Sequence, residues 1–114
     1  MISINADRYG TVVVMHFHGT LTREVLKEME DAWDDEVHAG PEVIALDFRD
    51  VAQIDSICIN HIFKMARTAE EKNITLVIFD VFESLKKIFE VIKLDKIIPV
   101  MTRQQFEKAY LKSL

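Results

Sequence analysis

Apolar and polar positions along this chain of 114 residues follow two different periods. From Thr11 to Phe17 the period is two. Val13, Met15 and Phe17 fall on one side and Val12, Val14, His16 and His18 on the other, which predicts a strand. Residues 2–7 alternate more weakly and predict a short edge strand, joined to it through Tyr9-Gly10. After Gly19-Thr20-Leu21-Thr22, where either threonine offers a cap, the period changes to that of a helix. Val25, Met29, Ala32, Trp33 and Val37 form its apolar stripe, and Gly40-Pro41 closes it. Val43–Phe48 is a near-continuous apolar run, the pattern of a strand covered on both faces. A helix from about Ser56 to Lys72 follows, with Ile59, Ile62, Phe63, Ala66 and Ala69 inward and Asn73 as its stop. Ile74–Phe79 is the next strand. Ser84 then offers a cap for a helix with Leu85, Ile88, Phe89 and Ile92 inward, and Ile97–Val100 reads as a short last strand. Thr102-Arg103-Gln104-Gln105 has capping-box form, so a final helix starts there and docks through Phe106, Ala109 and Tyr110.

The order is β-β-α-β-α-β-α-β-α, an α/β chain with a mostly parallel sheet and right-handed crossovers. The first two strands, close in sequence, are expected to pair antiparallel. If the later strands add in sequential order, the crossovers put the helices mainly on one face and leave the other partly open. The length suits one domain over residues 1–114.

Composition narrows the class. With 49% hydrophobic and 29% charged residues this is an ordinary globular chain. No apolar run approaches the ~18 residues of a membrane span, so no membrane insertion is expected. The start, MISINADRYG, lacks the pattern of a signal peptide, and the single cysteine, Cys58, suits a reducing cytoplasm. A net charge of −5 argues against a nucleic-acid partner. That charge is uneven. Residues 1–60 carry 4 basic and 12 acidic side chains, a balance of −8, while residues 61–114 carry 10 and 7, a balance of +3. The acidic excess gathers at Glu24, Glu28, Glu30, Asp31, Asp34, Asp35 and Glu36. It reads either as a solvated helix face or as a patch that steers a basic partner.

Four stretches stand in a telling order: Gly19-Thr20-Leu21 after the second strand; Val43–Phe48 followed by Val51-Ala52-Gln53-Ile54-Asp55-Ser56; Ile74–Asp80 leading to Ser84–Phe89; and Leu94–Val100 before the closing helix. Over nearly its whole length the chain resembles the STAS domain of bacterial anti-sigma-factor antagonists. The hallmark of that family is a strand ending in Asp, then a hydrophobic-Asp-Ser-Ser/Thr-Gly turn that opens a helix. The resemblance implies a non-enzymatic protein-binding module without cofactor or metal. Its partner would be a serine kinase that is also the anti-sigma factor, and phosphorylation of the Ser or Thr after Asp-Ser would break the complex. Asp55 and Ser56 match the motif. Ile57 stands at the phosphoacceptor position and Cys58 at that of the glycine, so Ser56 is the one hydroxyl left there to take a phosphate. Asp55, Ser56, Ile57, Cys58 and His61, on the helix running through Lys64, form the expected partner and switch surface. The resemblance also admits a second role, as an assembly subunit of a lipid-transport ATPase complex. It leaves open whether the chain is a monomer or a homodimer paired through its sheet.

Three other chemistries can be weighed on the residues. Cys58 near a helix start, with His61 one turn on, is a conceivable thiol nucleophile, set against the usual reading of a lone cysteine as a small buried residue. His16 and His18 share a strand face, but two ligands rarely hold a metal and no third is evident. Asp47 at a strand end resembles the phosphoacceptor of receiver domains, but that family's lysine after the last strand is missing. Asp47 is therefore expected to order its loop by accepting backbone hydrogen bonds.

Overall fold

The computed structural model describes residues 3–111, so Ile2 of the expected first strand lies outside the described residues. The elements are β1 (Ser3–Tyr9), β2 (Val12–His18), α1 (Leu26–His38), β3 (Val43–Asp50), α2 (Ser56–Glu71), β4 (Thr75–Phe79), α3 (Glu83–Val91), β5 (Val100–Met101) and α4 (Arg103–Phe106). One sheet contains all five strands in the order β1-β2-β3-β4-β5. β1 pairs antiparallel with β2, and every later pair is parallel, as the element order implies.

Strand periodicity sorts the side chains into two cores. On one face Val13, Met15, Phe17, Ile44, Leu46 and Phe48 meet Met29 and Trp33 of α1, Ile62 and Met65 of α2, and Leu85 and Phe89 of α3. On the other face Val12, Val14, Val43, Ala45, Val77 and Phe79 are covered by Phe106, with Tyr110 and Leu111 beside it. Phe79 and Phe106 stack with centroids 4.6 Å apart. The helices thus lie mainly on one face, and α4 closes part of the other.

Local chemistry moves several element ends away from the sequence expectation. Neither Thr20 nor Thr22 caps α1. A 3-10 turn, Arg23–Val25, precedes it, and the Thr22 hydroxyl donates instead to the Glu24 carboxylate at 2.7 Å. Ser84 is not a cap either. The chain reverses at Asp80 (φ 59°), Phe82 is extended, and the Lys86 N–H already bonds the Phe82 carbonyl at 2.9 Å, which starts α3 at Glu83. Nor does the last strand begin at Ile97. Lys93 in the left-handed region (φ 64°) feeds a 3-10 turn, Leu94–Lys96, so only Val100–Met101 pair with β4. The capping box at Thr102 and Gln105 forms as expected. Beyond it a π-type turn, Glu107–Leu111, shifts the register, so that Ala109 is exposed and Leu111 packs in its place. On α2 the buried stripe is Cys58, His61, Ile62, Met65 and Ala69, which leaves Ile59, Phe63 and Ala66 half-buried.

Candidate functional site

The loop between β3 and α2 runs beside the loop between β2 and α1, and the two are laced together. The Leu21 N–H donates to Gln53 O at 3.0 Å and the Asp55 N–H to Leu21 O at 2.9 Å. Leu21 and Ile54 form a one-residue parallel bridge. Asp55 stands at the junction with extended backbone (φ −91°, ψ 171°) as the N-cap of α2. Its Oδ1 accepts from Cys58 N at 2.9 Å, and its Oδ2 reaches across to accept from Arg23 N at 2.9 Å. One carboxylate therefore satisfies orphan donors of two helical segments, which explains why no threonine is needed at Arg23. These bonds, the Cys58 N–H first, hold the Asp55 carboxyl below its ordinary pKa.

The residues that the sequence groups here come together but divide into two kinds. Ser56 is exposed in the first turn, and Ile57 beside it is 39% exposed. Ile57 therefore lies on the surface of α2 rather than in the core. Cys58 points the opposite way and is fully buried, its thiol donating to Thr22 O at 3.3 Å. Burial, and then the Asp55 carboxylate, push its pKa up to about 12. The thiol is therefore protonated at neutral pH and already engaged, which removes the basis for a nucleophile at Cys58. His61 is buried as well, and its Nε2 has no hydrogen-bond partner among the described residues. It does not pair with Cys58.

Apolar surface that the sequence pattern had placed inward widens the site. Ile88 and Ile92 are exposed, as are Phe82, Ile97 and above all Val91, at 80%. The α3 helix is nine residues long and buries only Leu85 and Phe89. A helix this short presents too narrow a face to bury both rows. The Ile88 row borders a cleft of about 440 Å³ against Thr20, Thr22, Ala52, Gln53, Ile54 and Asp55, continuous with the start of α2. The excess of large apolar residues over available core in 82–97 was the signal that could have revealed this face.

The histidine pair on β2 lies on the opposite face of the sheet. His16 Nδ1 is 2.7 Å from Asp47 Oδ2 and its Nε2 is 3.0 Å from Asp7 Oδ2, while His18 lies between Asp50 and Asn5. Asp47 is buried. It accepts from Arg49 N at 3.0 Å within the end of β3 and lies 3.5 Å from an Arg103 nitrogen, which ties β3 to α4. Among the described residues no group of three or more His, Cys, Asp or Glu side chains is arranged to hold a metal, and no helix is long and apolar enough to cross a membrane.

Comparison with known proteins follows the same geometry. The family model described as "Mlab, STAS domain" matches residues 4–101. No curated protein sequence matches the chain. Among solved structures, one described as a candidate anti-sigma factor antagonist from Thermotoga maritima superposes with a TM-score of 0.86 at 18% identity, covering 93% of this chain and 92% of that one. An anti-sigma factor antagonist from Mycobacterium paratuberculosis gives 0.80 at 15% identity, covering 89% and 86%. The unphosphorylated form of SpoIIAA, an anti-sigma factor antagonist and Bacillus cell fate determinant, gives 0.77 at 14% identity, covering 94% and 96%. At such identities the likeness is one of fold.

Proposed function

Because the chain belongs to the family described as Mlab, STAS domain, which matches residues 4–101, we propose that it is a regulatory module that performs no catalysis and works by binding another protein through the start of α2. The observation that carries this reading is Ile57, exposed in the first turn of a helix whose N-terminus Asp55 holds in place. The partner is a serine-kinase anti-sigma factor in the cytoplasm, the class of partner suggested by the similarity to anti-sigma factor antagonists. At the position of the family's phosphoacceptor stands Ile57, a side chain that cannot carry phosphate, so the usual phosphorylation at that residue cannot release the partner. Ser56, one residue earlier and exposed, is the residue through which a kinase could still act. A phosphate there would meet the free N–H groups of α2 and place about two negative charges beside Ile57.

The test is affinity capture of the tagged protein from its native host, with intact-mass measurement of the same sample. Recovery of a serine-kinase anti-sigma factor, lost at least tenfold with Ile57→Asp while the melting temperature holds, is the expected result. A partner that binds Ile57→Asp as well as the parent would refute the α2 surface. A mass increment of one phosphate on Ser56 would identify a relocated switch, and the mass of the native assembly would report any homodimer.

A second reading, assembly into a lipid-transport ATPase complex, draws on one specific observation. The open apolar row of Ile88, Val91, Ile92 and Ile97 suits a lasting contact better than a reversible one, since obligate interfaces are the more hydrophobic. Capture of an ATPase subunit, abolished by Val91→Asp and indifferent to Ile57→Asp, would decide for it.

A further inference from the structure

Among the described residues seven large apolar side chains are exposed, and five of them, Phe82, Ile88, Val91, Ile92 and Ile97, fall within residues 82–97. Such clustering marks a contact surface, where scattered exposed residues would not. Ile97, the last of the row, lines a cleft of about 450 Å³ between the second half of α2 and the start of β4. We propose that this row and this cleft form a two-fold interface between two copies of the chain, in which Val91 and Ile92 of each copy fill the cleft of the other. The inference stands apart from any partner at the start of α2.

The cleft exists because the last crossover is short. A 3-10 turn, Leu94–Lys96, leads into a β5 of two residues, which pairs with Ile78 and Phe79 only. Among the described residues no strand runs beside residues 75–77 on that side, and Ala66 and Ala69 of α2 are too small to fill the gap. The floor is apolar, at buried Ile74, Leu76 and Ile98. Arg67 and Glu70 bring one charge of each sign to the lining, so it selects neither a cation nor an anion. What fits is an apolar insert with a balanced pair of charges beside it. The end of α3 has that form. Val91 is the most exposed of the row, at 80%, and Glu90 and Lys93 bracket Val91 and Ile92 in the chain.

The charges also set the direction. α2 and α3 follow β3 and β4, which are parallel, so the two helices run the same way. A two-fold axis parallel to them lays α3 of one copy along α2 of the other without reversing it. In that direction the order Glu90, Lys93 meets the order Arg67, Glu70, and opposite signs face each other at equal spacing. A reversed approach would set like charges together. Among the described residues none of these four side chains is in an ion pair within its own copy. Each copy offers both the insert and the cleft, so the contact is made twice and closes on itself, as an isologous interface does. Ile57 lies on the α1 side of α2, beside Leu26 and Glu30, and stays outside the contact.

Sedimentation velocity of the purified full chain over a concentration series is the test. Expected is a monomer–dimer equilibrium. Val91→Asp should weaken it at least about tenfold, and Ala66→Glu likewise, while Ile57→Asp leaves it unchanged. Val91 is too exposed for its loss to disturb the core, so that variant decides even if Ala66→Glu fails to fold. Arg67→Glu and Glu90→Arg should each weaken the dimer about fivefold, and the two together should regain most of the parent's affinity. A chain monomeric throughout the series would overturn the two-fold interface and leave the row to an unlike protein. A dimer indifferent to Val91→Asp, or a double variant no tighter than the single ones, would overturn it as well.

Discussion

Asp55 holds backbone donors from two segments, Cys58 N and Arg23 N, so removing its carboxylate should loosen both helix starts together. Asp55→Ala should lower the melting temperature by several degrees, and Asp55→Asn, which keeps one acceptor oxygen, should lower it less. A melt in which the two variants coincide would show that the second bond contributes nothing. His61 predicts a pH response of known sign. Burial keeps its ring neutral and its pKa below the ordinary 6.5, with Glu30 and Asp34 pulling upward and Lys64 adding to the depression. As pH falls through about 6.5 the unfolded chain takes up a proton that the folded chain refuses, so stability declines as pH falls below that value. The depressed carboxyl of Asp55 adds its own loss only below about pH 4, where the unfolded chain takes up a proton before the folded one does. Urea midpoints measured between pH 7 and 5 should fall for the parent and fall less for His61→Phe. Equal slopes would remove His61 from the account.

Among the elements, α1 carries a conflict that the packing does not resolve. Asp31 and Asp35 stand four residues apart on exposed turns, and half-buried Glu30 stands four residues from exposed Asp34. Among the described residues, the ion pairs that offset them are Lys27, 2.9 Å from Asp31, and Arg8, 2.7 Å from Glu36. Asp35→Lys turns a repulsive i,i+4 pair into an attractive one and puts a cation near the helix C-terminus. The expected gain is about 0.5 kcal/mol by chemical denaturation, shrinking in high salt. The elements themselves were legible because their periods differ. The strict alternation of Val12–His18 and the stripe of Met29 and Trp33 leave little choice of type or facing. The ends were less legible, because long-range bonds decide them. Nothing local to Thr22 reveals that Asp55, far along the chain, satisfies the donor at Arg23. Nothing in the spacing of Ile88 and Ile92 says that a nine-residue helix has room to bury only Leu85 and Phe89. The motif around Asp55 and Ser56 was readable from residue types, whereas the opposite facing of Ile57 and Cys58 and the unsatisfied His61 needed the packed helix pair.

At the scale of the whole molecule, one sheet separates two unequal cores. The larger holds Trp33 and three helices, while the smaller depends on a single short helix and the stack of Phe106 on Phe79, 4.6 Å apart and 3° from parallel. Arg103 reinforces that helix from its first turn, 5.2 Å from the Phe79 ring centroid and 3.0 Å from an Asp80 oxygen. Removing the aromatic ring of Phe106 strips the cover from Val12, Val14, Val77 and Phe79, and a buried phenylalanine cut to alanine typically costs about 3–5 kcal/mol. A domain of this size holds about 5–15 kcal/mol in total, so Phe106→Ala should remain folded with a much lower urea midpoint. The variant also tests whether the two cores act as one. Trp33 reports only the helical face, and far-UV circular dichroism reports the whole backbone. If the sheet couples its faces, as its largely buried central strands β3 and β4 suggest, the two signals should unfold together at the lowered midpoint. If the dichroism transition precedes the Trp33 transition, α4 undocks on its own, and the open face beneath it becomes a second surface that this fold can present.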